Sequence, residues 1–509
     1  MKGGFFVPQA KAKPQEAPEW ENRTLSRSMK DNLLLIKQLF LQNDTLVTRE
    51  VQNRLDSEPR YALAYLDGLA GSAVINEYIV KPLMLAEGAD APLPPEELAL
   101  RVIRISEQKA EEQVSALVEA ICAGDTLLFM EGQSKALVLN TKGFDGRSIA
   151  EPDSEKAISG PREGFNEVLL DNLTLVRRRL RTPDFKLRYQ TVGRRTGTKI
   201  CIAYLESLTN PNLVEELLRR ISLIDIDSVL DAQYIAELVH DIPHSPFRAS
   251  GQSEKPDVVA GKLLEGRVAV FVDGSPIVLT YPYLFVENFQ TGEDYYVNYY
   301  YATASRLLRI LAFFLTCTVP ALYVAIVAFH HEILPTPLLI SIASARKNVP
   351  LPAALEAFVM LIMFDILRET GVRMPTGVGQ AMSIVGAIIV GQAAVEAKLV
   401  AAPMIIIVAI AGITNLMVPK VSAAVIVIRM SLLALGSCFG MYGVAAGMVI
   451  FAAHIFHLDS MGVSQLSIGA SIRMQDIKDT FLRAPWRRMI TRPKIAEDSV
   501  RMKGSSDAQ

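Results

Sequence analysis

The sequence predicts a cytoplasmic α/β N-terminal region of two related subdomains, followed by an α-helical multi-pass membrane domain. Hydrophobic residues make up 50% of the 509 residues and charged residues 21%, which excludes a disordered chain and a coiled coil. The charges are unevenly distributed, because the 144 residues from Ile310 to Ala453 contain only 12 of them. The first 300 residues instead alternate helical and strand-like stretches. A soluble region is therefore expected to precede a membrane region.

The composition divides the chain into five segments. The first segment is polar and rich in proline, as in a flexible arm, and it lacks the apolar stretch of a signal peptide. The soluble region is therefore expected to remain in the cytoplasm. The predicted segments are a flexible arm 1–31, a first α/β subdomain 32–158, a second α/β subdomain 159–300, a transmembrane domain 301–458 and a basic cytoplasmic C-terminal tail 459–509.

A short internal repeat indicates that the two subdomains are related. Ala64–Leu69 (Ala-Tyr-Leu-Asp-Gly-Leu) recurs as Ala203–Leu208 (Ala-Tyr-Leu-Glu-Ser-Leu), each time after a β-like run and before a helical stretch. A third apolar strand, Val268–Gly274, ends in an acid-Gly turn. We expect the subdomains to separate near residues 152–164, with the third strand closing the second subdomain.

Four apolar runs are long enough to cross a bilayer, which requires about 20 residues of helix. They are Ile310–Phe329, Met374–Val395, Leu399–Pro419 and Met430–Ala453, the last of which begins near Val421. Leu351–Leu367 is shorter and contains Glu356 and Asp365. A re-entrant or interfacial helix is therefore favoured there over a fifth span.

Basic residues near the ends of these runs predict their orientation. Arg306 and Arg309 precede the first run, and nine Lys and Arg residues follow Ala453. The N- and C-termini are therefore both expected in the cytoplasm, which requires an even number of spans. Four spans satisfy this condition, and they place Glu396 at the cytoplasmic end of the second span.

The fourth run is rich in glycine, with Gly436, Gly440, Gly443 and Gly447. Small residues at this spacing allow helix backbones to approach closely in lipid. We interpret the four glycines as helix-packing residues inside the bundle, and packing between subunits is the alternative.

The sequence contains no catalytic or metal-binding motif. It has no Walker-type glycine loop, no His-Glu-x-x-His and no nucleophile elbow. We therefore predict neither an enzyme nor a cofactor, and the net charge of −2 gives no reason to expect a nucleic-acid partner. The cysteines are far apart and are interpreted as reduced packing residues; they are Cys122, Cys201, Cys317 and Cys438.

A basic run, Arg177–Arg181, lies on a helix that is predicted to begin near Gly164. The favoured interpretation is a solvated helix face whose arginines pair with nearby glutamates. The alternative is a surface for an anionic partner or lipid.

Several longer motifs occur in order through both halves of the chain. They are Ser159–Phe165, Leu175–Arg181, Glu265–Ala269, Asp273–Gly274, Asp294–Tyr296, Leu334–Leu338, Gly391–Glu396 and Ala484–Trp486. Together they resemble the spore germination receptor A-subunit (GerA) family, and the similarity extends from about Asn32 to Pro493.

The resemblance implies a membrane component of a nutrient-sensing complex in the inner membrane of bacterial spores. It implies two partners, a transporter-like B-type subunit and a lipoprotein C-type subunit. It also implies a homo-oligomeric ring in membrane lipid that forms a germinant-gated ion pathway. Three alternatives stay open: a late-sporulation member of the family without germinant specificity, a secondary transporter, and a scaffold.

The run Met374–Val395, extended to Glu396, is the predicted ion-conducting helix. An apolar pair, Val385 and Ile388, would form the gate of a ring, and Gln392 with Glu396 would form a cation-attracting mouth. Packing of the same residues within a bundle is the alternative. The pore-lining residues of this hypothesis lie on one helix face and are Ala381, Val385, Ile388, Gln392 and Glu396.

Overall fold

The computed structural model describes residues 19–53, 58–85, 94–143, 155, 159–373, 386, 389, 391–466, 479–493, 495, 496 and 501. Contacts divide the chain into two compact units. The sheet unit comprises Met1–His240, Ser250–Pro282 and Trp486–Gln509, and the helical unit comprises Asp241–Ala249 and Tyr283–Pro485.

The sheet unit contains two five-stranded sheets in which every described strand pair is antiparallel. The strands of the first sheet are β1 Leu46–Val51, β2 Tyr61–Leu66, β3 Gln108–Glu111, β4 Thr126–Met130 and β5 Ala136–Leu139. Those of the second are β6 Phe185–Val192, β7 Thr198–Leu205, β8 Gly251–Ser253, β9 Val268–Val272 and β10 Val278–Tyr281.

The two sheets have the same topology. Their strand orders, β1-β2-β4-β5-β3 and β6-β7-β9-β10-β8, correspond position by position. The repeated Ala-Tyr-Leu segments end the equivalent strands β2 and β7. The correspondence also reaches the turns after β4 and β9, where Gly132 and Gly274 both follow an acidic residue and have φ of +80° and +85°. The short repeat in the sequence therefore marks a duplication of the whole subdomain architecture.

Helices cover the sheets and supply the two cores. In the first core, Met29 and Ile36 pack with Leu117, Ile121 and Phe129. The helices of the sheet unit are α1 Met29–Leu39, α2 Ser72–Ile75, α3 Lys81–Leu85, α4 Pro95–Arg101, α5 Val114–Cys122, α6 Leu169–Arg177, α7 Pro211–Ser222, α8 Ala232–Leu238 and α9 Pro256–Leu263, with a π-helical segment Asn76–Val80 between α2 and α3.

Arg177 is buried, so the predicted solvated face is wrong at this residue. Helix α6 ends at Arg177, which is 2% exposed. Its Nη2 donates hydrogen bonds to Asn43 Oδ1 (3.1 Å) and Thr45 Oγ1 (3.3 Å), and its guanidinium lies 5.2 Å from the centre of the Phe185 ring. Burial lowers the pKa of Arg177 to about 10. The Arg177 side chain therefore links the residues just before β1, in the first subdomain, to helix α6 of the second subdomain.

The neighbouring arginines behave as the sequence predicts. Arg179 pairs with Glu163 at 2.5 Å, and Arg178 approaches the same carboxylate at 3.7 Å. Both side chains remain partly exposed, as expected for surface ion pairs.

In the part of the chain that the structure describes, the helical unit has five helices of 11 or more residues. They are α10 Tyr299–Phe329, α11 Thr336–Arg346, α12 Ala353–Arg373, α13 Ala402–Leu416 and α14 Ser422–Phe456. Residues 391–396 are also helical. Short 3-10 turns, Phe285–Phe289 and Gly292–Tyr295, precede α10, and a small hairpin of β11 Asp459–Ser460 and β12 Val463–Ser464 follows α14.

Helix α14 reverses direction at Gly440. This residue has φ 60° and ψ −143°, outside the helical region. A Cβ atom on Gly447 would lie 2.6 Å from Leu432 Cδ2, although a straight helix would separate these residues by about 22 Å. The arms 422–439 and 441–456 therefore pack antiparallel as a hairpin. The fourth predicted run is two arms of about 24–27 Å each, not one straight span.

Helix α10 defines the direction of the hairpin. Lys420, just before α14, donates a hydrogen bond of 2.9 Å to the carbonyl of Gln290, which precedes α10. At the other end, a Cβ atom on Gly440 would lie 2.8 Å from the His330 ring, directly after α10. The first arm therefore runs parallel to α10, and the second arm returns towards its start.

Helices α12 and α13 run opposite to α10. Near the end of α12, Arg368 donates a hydrogen bond of 2.8 Å to Ser422 at the start of α14, which is the end of the bundle where α10 begins. Thr414 and Thr316 share a hydrogen bond of 2.6 Å, and their helices also meet where Met404 packs in one cluster with Val324. Helix α12 continues to Arg373, so it is longer than the Leu351–Leu367 segment of the sequence. At about 31 Å it matches the thickness of the hydrocarbon core.

Two described helices are long and apolar enough to cross a membrane, Tyr299–Phe329 and Pro419–Phe456. Helix α13 is apolar but shorter. The number of spans stays a prediction, and Met374–Val395 lies mostly outside the described residues.

Candidate functional site

Among its described residues, the helical unit has buried ionic contacts at three levels, and the first lies where α10 begins. Asp294 accepts hydrogen bonds from Arg306 Nε (2.9 Å) and Arg309 Nη2 (3.0 Å). Arg306 Nη1 also donates to Asp479 Oδ1 at 3.0 Å. Although burial alone would raise the pKa of Asp294, the hydrogen bonds from Arg309 and Arg306 hold it below its ordinary value. The two arginines that the sequence presents as positive flanks are therefore paired inside the protein.

Further contacts at this level attach the C-terminal segment 479–483 to the first turns of α10. The backbone N–H of Arg483 donates to Thr303 Oγ1 at 3.1 Å. The guanidinium groups of Arg306 and Arg483 lie 5.5 and 5.9 Å from the centre of the Tyr295 ring, within the range of cation–π attraction. These contacts hold the segment against the helix.

The second level lies in the middle of the bundle. Arg429 on α14 is fully buried, and its Nη2 donates to Asp365 Oδ2 on α12 at 2.6 Å. Its Nε and Nη1 have no hydrogen-bond partner among the described residues. The same holds for both polar side-chain atoms of Asn415 on α13, which is also fully buried. Polar groups at this depth are costly and are often functional.

The third level lies where α10 ends. Glu356 on α12 is fully buried and accepts hydrogen bonds from Arg346 Nη1 (2.8 Å) and the backbone N–H of Ala401 (2.5 Å). This carboxylate joins α11, α12 and the start of α13. Glu356, which suggests an interfacial helix in the sequence, is therefore satisfied inside the bundle.

The four predicted packing glycines are buried in α14, and their neighbours belong to the same chain. A Cβ atom on Gly436 would lie 3.0 Å from Val444 Cγ2 and 3.1 Å from the carbonyl oxygen of Ala321 on α10. A Cβ atom on Gly443 would overlap the carbonyl oxygen of Leu435 in the opposite arm. Glycine at these positions lets the two arms approach at backbone distance. The set is Gly436, Gly440, Gly443 and Gly447.

The predicted pore-lining residues are only partly described. Ala381, Val385 and Ile388 lie outside the described residues, whereas Gln392 and Glu396 are exposed. The structure adds Ile389, which is 59% exposed. On a helix, Ile389 falls three and seven residues before these two, on the same face. Helical spacing in the sequence could have placed Ile389 on the same face as Gln392 and Glu396.

Glu396 lies at the end of the bundle opposite to the one that four spans predict. Ala394 packs with Val400 and Met404, beside the Glu356 contact at the end of α10. Four spans instead place Glu396 where α10 begins. The four-span arrangement treats the segment of α12 as interfacial, whereas α12 runs from the end of the bundle where α10 ends to the end where α10 begins.

Three of the cysteines are buried and one is not. Burial raises the pKa of Cys122 to about 11, and Cys201 and Cys317 are also buried. Cys438, two residues before the reversal of α14, is exposed, so its interpretation as a packing residue is wrong. Among the described residues, no three His, Cys, Asp or Glu side chains converge as metal ligands would.

The family assignment from the sequence motifs is confirmed by comparison with known proteins. The family described as Bacillus/Clostridium GerA spore germination protein matches residues 35–495, which include both units. The chain belongs to the GerA family. The polar levels and the glycine hairpin lie within the residues that match the GerA family.

Several curated relatives match this GerA-family chain over most of their length. Spore germination protein KA of Bacillus subtilis (strain 168) is 37% identical, over 94% of this chain and 88% of its own. Spore germination protein B1 of the same organism is 31% identical, over 94% and 100%. The uncharacterized membrane protein YfkQ, also from that organism, is 37% identical, over 94% and 93%.

One solved structure is similar to part of the chain. The N-terminal domain of the A subunit of the Bacillus megaterium spore germinant receptor GerK3 is 28% identical, with a TM-score of 0.39, over 52% of this chain and 98% of its own.

We predict that Gly443→Ala disrupts the hairpin. The added methyl group would overlap the carbonyl of Leu435, so the arms must separate, and overpacking of this kind typically costs about 1–3 kcal/mol. The thermal unfolding midpoint of the detergent-solubilised protein should fall. Ala446→Leu adds more bulk on an exposed side of the same arm and serves as the control. Equal midpoints for Gly443→Ala and the wild type would contradict the tight contact.

A second prediction concerns the pair in the middle of the bundle. Asp365→Leu leaves the buried Arg429 without its carboxylate, which typically costs about 3–5 kcal/mol. The double variant Asp365→Leu with Arg429→Met should regain most of that stability, since it leaves no unpaired charge. Thermal unfolding of the single and double variants measures the coupling. Additive losses in the double variant would show that the two residues stabilise the bundle independently.

Proposed function

We propose that this GerA-family protein is the A subunit of a nutrient-germinant receptor in the spore inner membrane. Family membership over both units carries the proposal, together with curated relatives named as spore germination proteins over nearly the whole chain. The proposed role is not enzymatic and requires no cofactor. The proposed partners are a transporter-like B-type subunit and a lipoprotein C-type subunit.

We further propose that the helical unit crosses the membrane six times, with both termini in the cytoplasm. The crossings would be α10, α12, the helix that contains residues 391–396, α13 and the two arms of α14. Support comes from the directions of the described helices, because α12 and α13 run opposite to α10 and the two arms of α14 run opposite to each other. The arms, at about 24–27 Å, are close in length to the thickness of the hydrocarbon core. Six is even, so the charge argument for two cytoplasmic termini still holds.

Cysteine labelling distinguishes six crossings from four. In the six-crossing arrangement Lys398 faces the outside, whereas four spans place it in the cytoplasm. The background is Cys438→Ser, because the other three cysteines are buried. We expect Lys398→Cys to react with a membrane-impermeant maleimide applied to intact cells. Lys420→Cys, at the opposite end of the hairpin, should react only after the cells are opened. The reverse pattern would restore the four-span arrangement.

The proposed ion pathway runs along the axis of a ring of A subunits. Its support is the exposed face of the helix before α13, where Gln392 and Glu396 are polar and Ile389 is apolar. Polar groups exposed on an apolar bundle are poorly suited to lipid and well suited to a water-filled axis. Val385 and Ile388 would close the path as an apolar constriction.

We predict that Ile388→Ala opens the closed path. A narrower apolar barrier admits water more easily, and the open population rises about tenfold for each 1.4 kcal/mol lost. Growing cells that express this variant should depolarise without germinant, as measured with a potential-sensitive dye. Gln392→Ala should change the size of the ion flux through the open path more than it changes the opening of the path.

The matched control is Ile406→Ala, an isoleucine that is 62% exposed on α13. It removes the same atoms from a surface that is not on the proposed axis. If Ile406→Ala depolarises cells as strongly as Ile388→Ala at equal protein levels, the pore face is wrong. Substrate-saturable uptake by the reconstituted protein would instead favour a transporter, and the absence of both activities a scaffold.

A further inference from the structure

Exposed aromatic and aliphatic side chains cluster where α10 begins. Tyr300 and Tyr301 are 71% and 67% exposed, and Phe481 and Leu482 are 48% and 47% exposed. Single apolar residues on a surface are normal, but these four are adjacent, because the next residue, Arg483, is hydrogen-bonded to Thr303 on α10. An apolar patch of this kind indicates an interaction surface.

The patch continues an exposed stripe along α10. Tyr300, Leu307, Leu311 and Phe314 follow one another at intervals of seven, four and three residues, which places them on one helix face. All four are at least 45% exposed. The aliphatic part suits hydrocarbon, and tyrosine is enriched where a helix leaves it. The patch therefore marks the level of the lipid headgroups.

The chain then enters a short turn, Trp486–Arg488, that is basic and aromatic. Trp486 is 46% exposed, and Arg487 and Arg488 are also exposed. Within the described residues, neither arginine forms an ion pair with a carboxylate. Trp486 follows the anchored Arg483 by three residues, so the chain can carry it no farther than about 11 Å from that point.

We propose that the Trp486–Arg488 turn binds the headgroups of acidic phospholipids at the edge of the bilayer that α10 enters. Guanidinium groups bind phosphate oxygens through paired hydrogen bonds, and an indole ring suits the boundary between hydrocarbon and water. The turn would fix the C-terminal end of the protein to the cytoplasmic leaflet. This inference rests on the membrane placement proposed above and goes beyond the ion pathway.

Tryptophan fluorescence tests the proposal, because the chain has only two tryptophans. Trp20→Phe leaves Trp486 as the sole reporter in the full-length protein, which is reconstituted in phosphatidylcholine discs. A fixed fraction of lipid brominated near the headgroup is then added, either as phosphatidylcholine or as phosphatidylglycerol. We expect Trp486 to be quenched more strongly by the brominated phosphatidylglycerol, with a lipid preference of about fivefold for each arginine. Arg487→Gln with Arg488→Gln should abolish the preference.

A bilayer reporter separates the two proposals. In the Trp20→Phe, Trp486→Phe background, Phe314→Trp lies about 21 Å along α10 from Tyr300, so it should be quenched equally by phosphatidylcholine and phosphatidylglycerol that carry bromine deep in their acyl chains. Loss of that signal would contradict the membrane placement itself. With that signal present, equal quenching of Trp486 by the two lipids would overturn the selectivity for acidic headgroups. No quenching of Trp486 at all would also overturn the proposal, and would leave an acidic protein segment as the partner of the turn.

Discussion

The helical unit depends on one backbone conformation, the left-handed φ of Gly440. A straight α14 of 35 residues would be about 52 Å long, far longer than a hydrocarbon core of about 30 Å. The reversal converts it into two arms of suitable length, and glycines at the contact allow them to touch at backbone distance. A side chain at Gly440 would be strained at this φ and would also meet the His330 ring. The geometry of the whole bundle follows from this turn.

Buried charge imposes the second constraint. The ionic levels join different segments of the unit: Arg306 on α10 with Asp479, Asp365 on α12 with Arg429 on α14, and Arg346 on α11 with Glu356 on α12. Helix α12 cannot slide along α14 or α11 without separating one of these pairs in a medium of low dielectric constant. The buried pairs therefore fix α12 against α14 and α11. Gln392 and Glu396, on the helix of the proposed ion path, are exposed and take no part in these pairs, so a motion of that helix would separate none of them.

The sequence alone predicted those features that follow from local patterns of residues. The repeated Ala-Tyr-Leu segments revealed the duplicated subdomains, and hydropathy located the helical unit. Hydropathy did not reveal the hairpin, because glycine is common in straight membrane helices. The backbone φ of a glycine does not change the mean hydropathy of the run. Nor did spacing pair Asp365 with Arg429, which are 64 residues apart. Arg177 was misjudged for the same reason, since its partners Asn43 and Thr45 lie in the other subdomain.

The direction of α12 carries the largest consequence for function. A helix that crosses the bundle before residues 391–396 moves Glu396 from the end where α10 begins to the end where it finishes. With the termini in the cytoplasm, the proposed ring of carboxylates then lies on the outer side of the membrane, and the apolar constriction lies between it and the cytoplasm. A cation that leaves the cell would meet the gate first and the negative mouth second. The carboxylates would then act on ions that have already passed the barrier, and would favour their exit by lowering the energy of the outer site.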